Sequence, residues 1–216
     1  MSDFVRARSE EQKAMRLEEI KAATERLFKS RPYHEITLTV IADELGWSRA
    51  NLYKYVSTKE EVFLSLMADK RDAYTEALLS SFPEGCGLSH ATIAEVWAGI
   101  ANAHRDFFRY GDLLYTVIET NVSVERLVEF KRGYYEGVER MKRQLPSVLG
   151  VAPEKIEQLT NSVYHQGIGL CCSCMENPLV REAVERLGVR PATVDFREAM
   201  KDFIEMSLAW NASKVG

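Results

Sequence analysis

Apolar residues recur at three- and four-residue intervals along most of the chain, which is the period of amphipathic helices. From Glu11 to Lys29 the positions Met15, Ile20, Ala23, Leu27 and Phe28 share one side of a helical wheel. Residues 1 to about 10 carry no such period and read as a short polar arm. Arg31-Pro32-Tyr33-His34 stops the first helix, because a residue preceding proline avoids the helical region. Thr37, after Ile36, is placed to N-cap a second, short helix reaching Leu45. Gly46 can take the left-handed conformation that closes it, and Ser48 offers the cap of a third short helix ending near Tyr55. Ser57 or Thr58 then caps a long fourth helix with Glu60 and Glu61 in its first turn, where negative charge suits the helix dipole. Val62, Phe63, Leu66, Met67, Tyr74, Leu78 and Leu79 line one side of it.

Pro83-Glu84-Gly85-Cys86-Gly87 is the clearest break in the chain. Beyond it the pattern predicts helices over Ser89–Arg109, Leu113–Asn121, Ser123–Gln144, Glu154–Glu176 and Ala192–Trp210, with a shorter one over Leu179–Leu187. Pro146, Pro153, Pro178 and Pro191 punctuate them. There is no internal repeat, no low-complexity tract and no strand pattern. The predicted class is all-α: an N-terminal three-helix module over 1–57 and a C-terminal helical bundle over 58–216.

Composition narrows the class of protein without changing the fold. Of 216 residues, 46% are hydrophobic and 28% charged, the balance of an ordinary globular chain. No apolar run approaches the roughly 20 residues that cross a bilayer, and the N-terminus lacks the apolar stretch of a signal peptide. The expected location is the cytoplasm, with no membrane partner. Three cysteines, Cys171, Cys172 and Cys174, crowd together in a spacing that fits no disulfide framework or C-x-x-C site. In a reducing compartment they are expected to be free thiols.

The net charge of -4 argues mildly against a nucleic-acid partner. Local charge argues the other way. From Gly46 to Lys59 there are three basic residues, Arg49, Lys54 and Lys59, and no acidic one. An acidic protein binds DNA when its positive groups share a face, at the cost of strong sensitivity to salt.

Two short helices joined by a tight glycine turn are the sequence form of a DNA-reading helix-turn-helix. The stretch ITLTVIADELGWSRANLYKYVSTKEEVF, Ile36 to Phe63, resembles the DNA-binding module of TetR-family regulators. The resemblance rests on Thr37, Ile41-Ala42, Gly46-Trp47-Ser48, Leu52-Tyr53, Tyr55 and Lys59-Glu60, in that order and spacing, with Ile20 to Phe28 similar to the family's first helix. It covers roughly residues 11 to 70. Ala50 and Asn51 stand where glycine and threonine or serine are common, Trp47 replaces an aliphatic residue and Val56 a phenylalanine. These departures bear on the DNA sequence that is read rather than on the fold.

The residues of the third helix support the same reading independently. At about 100° per residue, with Leu52 inward against Ile41, Leu45 and Leu27, Ala50 and Lys54 point away, with Asn51 and Tyr53 on the flanks and Arg49 nearer the edge. A small residue opposite the buried one lets the backbone approach a major groove. Asn pairs with adenine, and Lys or Arg with guanine or phosphate. The resemblance implies that Tyr53 and Lys59 hold phosphates, and that Thr37 is a helix cap that also touches phosphate. The predicted DNA-binding set is Thr37, Ser48, Arg49, Ala50, Asn51, Tyr53, Lys54 and Lys59, with Trp47 expected in the core rather than on the DNA.

The resemblance further implies a helical body that binds a small-molecule effector and a homodimer formed by the last two long helices. Trp97, His104, Phe108, Tyr115, Tyr134 and Tyr164 are the candidate lining of the effector site, an aromatic set with polar tips. Gly167 and Gly169, which permit close helix approach, and Met200, Phe203 and Ile204 on the last helix, are the candidate subunit contacts. His104 and His165 have no paired metal-ligand spacing, so no metal and no cofactor are expected. The cysteine cluster reads as small buried residues before it reads as a redox or metal sensor.

The expected function is therefore a ligand-responsive regulator, a repressor in the family's commoner mode, that binds double-stranded DNA as a homodimer. The alternatives are a helical carrier or adaptor without DNA binding and an enzyme. Against the second stands the want of any phosphate loop, metal pair or nucleophile motif.

Overall fold

The computed structural model describes residues 2–174, 178–189 and 193–212. Its elements are α1 (Ser2–Ser30), a 3-10 turn (Tyr33–Glu35), α2 (Leu38–Leu45), α3 (Arg49–Leu52), α4 (Lys59–Ser81), α5 (His90–Ala103), α6 (Arg105–Leu113), a π-helical turn (Leu114–Ile118), α7 (Val124–Gln144), α8 (Pro146–Leu149), α9 (Pro153–Cys174), α10 (Pro178–Arg186) and α11 (Phe196–Ala212). Among the described residues there is no strand. The expected helix ends at Glu176 and Ala192 lie outside the described residues.

The chain forms two compact units. One comprises Met1–Asp69 and Leu113–Lys131, the other Lys70–Asp112 and Arg132–Gly216. In the first, α1 packs on α2 and α2 on α3. Ile20, Ala23, Ile36, Ile41, Ala42, Leu52, Val62 and Phe63 are fully enclosed, each of the larger ones contributing about 1.5–3 kcal/mol by leaving water. Phe28 meets Phe63 edge-to-face, with centroids 5.3 Å apart. Lys21 is buried in α1, and its ammonium pairs with Glu18 and with Asp69 of α4. A buried cation is tolerated only when paired in this way.

The expected polar arm is instead the first part of α1, which is helical from Ser2. The absence of an apolar period concealed it. Glu10, Glu11, Gln12, Lys13 and Ala14 are helix formers, all exposed, and create no buried face.

In the second unit α11 packs against α5 and α9. Its centre is aromatic: Trp97 and Phe108 are fully buried, and Tyr74, Phe107, Tyr164 and Phe196 nearly so. The Tyr74 hydroxyl accepts a hydrogen bond from the Trp97 indole N–H at 2.6 Å, and burial pushes the Tyr74 phenol well above its ordinary range. The helix expected over Ser89–Arg109 is two helices. Ala103 ends α5 and His104, at φ −103° and ψ 31°, turns the chain into α6. No glycine or proline marks that break, so the sequence pattern runs through it. At the far end of α4 the Gln144 amide donates to the carbonyls of Leu79 and Phe82, at 2.6 and 2.9 Å. It thereby satisfies acceptors that the helix terminus leaves open.

Glycines set the closest helix approaches here. A Cβ at Gly133 on α7 would stand 2.5 Å from the Arg71 guanidinium of α4, and one turn on Gly137 faces Thr75. A Cβ at Gly111 on α6 would stand 2.6 Å from Cδ1 of Ile168 on α9.

Candidate nucleic-acid interface

The helix-turn-helix is built by local chemistry. Thr37, extended at φ −125°, accepts the Val40 N–H on its hydroxyl at 3.2 Å and so starts α2. Gly46 ends it in the left-handed region, at φ 66° and ψ 27°. The Trp47 N–H reaches back to the Ala42 carbonyl (2.8 Å) and the Gly46 N–H to that of Asp43 (3.1 Å). This is the paired closure of a Schellman turn. Nothing lies within 4 Å of a Cβ built on Gly46, so the requirement for glycine is conformational, not steric. Ser48 then accepts the Asn51 N–H at 3.2 Å and starts α3.

Leu52 is fully buried and fixes the rotation of α3. Arg49, Ala50, Tyr53 and Lys54 are exposed, Tyr53 by 57%, while Asn51 is half-buried. Ala50 leaves the outer side of the helix without bulk between the Arg49 and Lys54 cations.

Trp47 departs from expectation. It is half-buried at the edge of the turn and not a core residue. Its ring leans on Tyr55, with centroids 5.8 Å apart, and the Arg16 guanidinium of α1 lies 5.3 Å from the indole centroid. The turn points this side chain along the surface, where an indole can cover apolar atoms and keep a cation on its face.

Lys59, at the start of α4, is also held. Its ammonium donates to the Tyr33 carbonyl at 3.0 Å and lies 3.8 Å from the centroid of the Tyr33 ring. Burial lowers its pKa, and the neighbouring Glu60 carboxylate opposes the shift. The Tyr33 hydroxyl donates to Glu60 at 2.6 Å. Burial and that carboxylate together push the phenol well above its usual range. Glu61 accepts the Ser57 N–H at 2.9 Å, and its own N–H donates to the Thr58 hydroxyl at 3.2 Å. Both first-turn carboxylates of α4 are thus occupied by neutral donors. Sequence reasoning gave no role to Tyr33 or Arg16, and had Tyr55 and Glu60 only as residues of the family motif; the sole signal for Tyr33 was the proline before it, which marks a loop.

The candidate effector residues divide between the units. Tyr115 lies on the π-helical turn of the first unit and is 49% exposed. Trp97, His104, Phe108, Tyr134 and Tyr164 belong to the second. Phe108 and Tyr164 share the aromatic cluster with centroids 5.9 Å apart, and the half-buried His104 ring stands 6.1 Å from Tyr74. The half-buried Tyr134 hydroxyl bonds to Asn161 of α9, whereas Tyr135 points to solvent.

The candidate subunit contacts also divide. Gly167 is buried beneath the Phe108 ring, and Met200 and Ile204 are fully enclosed in the second unit, so these three pack within the chain. Gly169 is exposed and Phe203 half-exposed. Phe203 lines a surface groove of about 360 Å³ with Leu159, Ser162, Met206, Ser207 and Trp210; Met206 and Trp210 are 61% and 62% exposed.

Cys171 is buried with its thiol toward the Arg105 carbonyl. Cys172 is exposed, and desolvation and Asp112 raise its pKa, which keeps it a thiol and not a thiolate. The Cys174 side chain lies outside the described residues. Among the described residues no group of three His, Cys, Asp or Glu is placed to hold a metal, and no helix is long and apolar enough to cross a membrane.

Comparison with known proteins matches this geometry. Residues 20–66 fit the family model described as bacterial regulatory proteins, tetR family, and residues 68–209 fit that of the tetracyclin repressor-like C-terminal domain. The fold is similar to a transcriptional regulator of the TetR/AcrR family from Thermobifida fusca, at 18% identity over 89% of this chain and 96% of that one, with a TM-score of 0.55. It is similar too to a TetR transcriptional regulator from Streptomyces coelicolor, at 15% identity over 91% and 97% of the two chains, with a TM-score of 0.54. No curated protein matches. With both halves matched by family models and a capped helix-turn-helix in the first of them, the chain belongs to the TetR family of DNA-binding transcriptional regulators.

Proposed function

We propose that the protein is a ligand-responsive repressor that acts as a homodimer on a near-palindromic operator. The observation that carries the DNA-reading part is α3, whose buried Leu52 sets Ala50 outward between Arg49 and Lys54. In this reading Ala50 lets the helix enter a major groove. Asn51, Arg49 and Lys54 address base edges and phosphates, and Tyr53, Lys59 and the α2 start at Thr37 hold the backbone. A dimer presents two such helices about 34 Å apart, one DNA turn.

The subunit face in this proposal is the groove side of α9 and α11, with Phe203, Met206 and Trp210 at its centre and Gly169 beside it. Its support is the exposed Met206 and Trp210 of α11, which line one groove with the half-exposed Phe203 and with Leu159 of α9. Met200 and Ile204 support that face from behind.

The effector is a small molecule held among the aromatic residues of the second unit, with Trp97, His104, Phe108, Tyr134 and Tyr164 as first candidates. Its binding favours a conformation in which the two α3 helices no longer match the operator, and DNA is released. The response is bounded by the effector's difference in affinity between the two states. The family consists of regulators, and the protein is read as one rather than as an enzyme.

A mobility-shift assay with duplex from upstream of the protein's own gene tests the reading. The wild type retards it, and Lys54→Ala and Tyr53→Ala weaken retardation while leaving the circular dichroism spectrum unchanged. Equal retardation by all three proteins contradicts the assignment of α3.

A further inference from the structure

Two opposite charges stand side by side at the start of α4, Lys59 and Glu60, and one residue from outside that helix holds both. Tyr33, in the 3-10 turn between α1 and α2, takes the Glu60 carboxylate on its hydroxyl at 2.6 Å. The same residue receives the Lys59 ammonium on its carbonyl at 3.0 Å, with its ring under the cation at 3.8 Å. Phe63 meets the Tyr33 ring edge-to-face, at 5.0 Å between centroids.

We propose that Tyr33 is a positioning residue for DNA binding: it parks the Glu60 carboxylate on its hydroxyl and steadies the Lys59 ammonium on its ring and carbonyl, leaving Lys59 to address a phosphate. An ammonium has three N–H donors, and the Tyr33 carbonyl uses one. A Glu60 carboxylate released from the hydroxyl is a mobile negative charge beside the one cation of this helix start. There it neutralises Lys59 or repels the phosphate, and either weakens binding. This inference rests on the reading of Lys59 as a phosphate-holding residue.

The experiment uses the full chain and a duplex enriched by the wild type from a random pool, with affinity measured across a range of KCl concentrations. Lys59→Ala tests the underlying reading: loss of about one from the slope of log K against log salt supports it, and an unchanged slope, or a wild type that enriches no duplex, removes it and this inference with it. Tyr33→Phe keeps the ring and the carbonyl and frees Glu60. The expected result is a three- to ten-fold weaker affinity at low salt, roughly the effect of one nearby charge. Adding Glu60→Gln to that variant restores affinity to within about two-fold of wild type, since the charge is then gone. A purely structural role for the hydroxyl is not rescued in this way, because Glu60→Gln restores no lost contact. Glu60→Gln alone binds at least as tightly as wild type, which keeps the test independent of how well Tyr33→Phe folds. Undiminished binding by Tyr33→Phe, failure of the double variant to recover, or weakened binding by Glu60→Gln alone overturns the proposal.

Discussion

Gly167 of α9 lies beneath the ring of Phe108 of α6, so close that a Cβ at 167 would stand 2.6 Å from Cε1 of that ring. Real carbon contacts require roughly 3.5–4.0 Å. One of the two must move, and Phe108 is itself fully enclosed among Tyr74, Phe107, Tyr164 and Phe196.

Gly167→Ala is therefore expected to destabilise the protein by about 1–3 kcal/mol, the usual cost of overpacking, read as a fall in thermal midpoint. Gly169→Ala, two residues on, meets nothing within 4 Å in its own chain, so it should not destabilise the fold of the single chain, alanine being the better helix former; a fall in midpoint there would come from the subunit face.

The proposed subunit face makes a contrasting prediction for α11. Trp210→Glu or Met206→Glu places a charge on the exposed groove side and should yield monomers in sedimentation, with little change in helix content. Met200→Ala removes a fully enclosed side chain and should instead cost about 2–5 kcal/mol of stability. Monomers from Met200→Ala and dimers from Trp210→Glu would reverse the assignment of the two faces.

The turn chemistry of the helix-turn-helix is read from stability in the absence of DNA. Thr37→Ala and Ser48→Ala each remove a hydroxyl that caps a helix and should lower stability by about 0.5–2 kcal/mol. Gly46→Ala meets no steric obstacle but forces an alanine to φ 66°, a penalty of roughly 1–2 kcal/mol. Chemical denaturation measures all three.

Arg49→Ala and Lys54→Ala alter exposed side chains with no part in the core, so stability should hold. A residue that contacts phosphate lowers the salt slope by about one when removed, whereas one that reads a base costs about 1–3 kcal/mol and relaxes preference at one position. Affinity measured against salt and against single-base operator variants distinguishes the two roles for each residue.

The parts of the fold that the sequence made legible are those decided by neighbours along the chain. Thr37, Gly46 and Ser48 act through backbone groups three to five residues away, so their types and spacing suffice to place α2 and α3. What escaped depends on three-dimensional context or leaves no pattern. The early turns of α1 give no apolar period, and the break at His104 has no glycine or proline. Met200, Phe203 and Ile204 look alike in a three- and four-residue stripe, yet only burial in the folded chain separates the enclosed pair from the residue on the groove. A small residue such as Gly167 permits close approach without saying to which helix. Trp47 stands at a usually aliphatic position of the turn, which predicts a core residue, whereas in the folded chain it is half-buried between Tyr55 and Arg16. The Tyr33–Lys59–Glu60 arrangement joins residues 26 and 27 positions apart, beyond the reach of any local motif.

The central claim is that the outer side of α3 reads duplex DNA. Selection from a random duplex pool by the wild type and by Ala50→Leu tests it most directly, since leucine there adds bulk without disturbing the buried Leu52. The wild type should enrich a near-palindromic sequence with half-sites about 10 base pairs apart or a multiple of that, and Ala50→Leu, equally stable, should enrich none. Enrichment of the same sequence by both proteins would contradict the account.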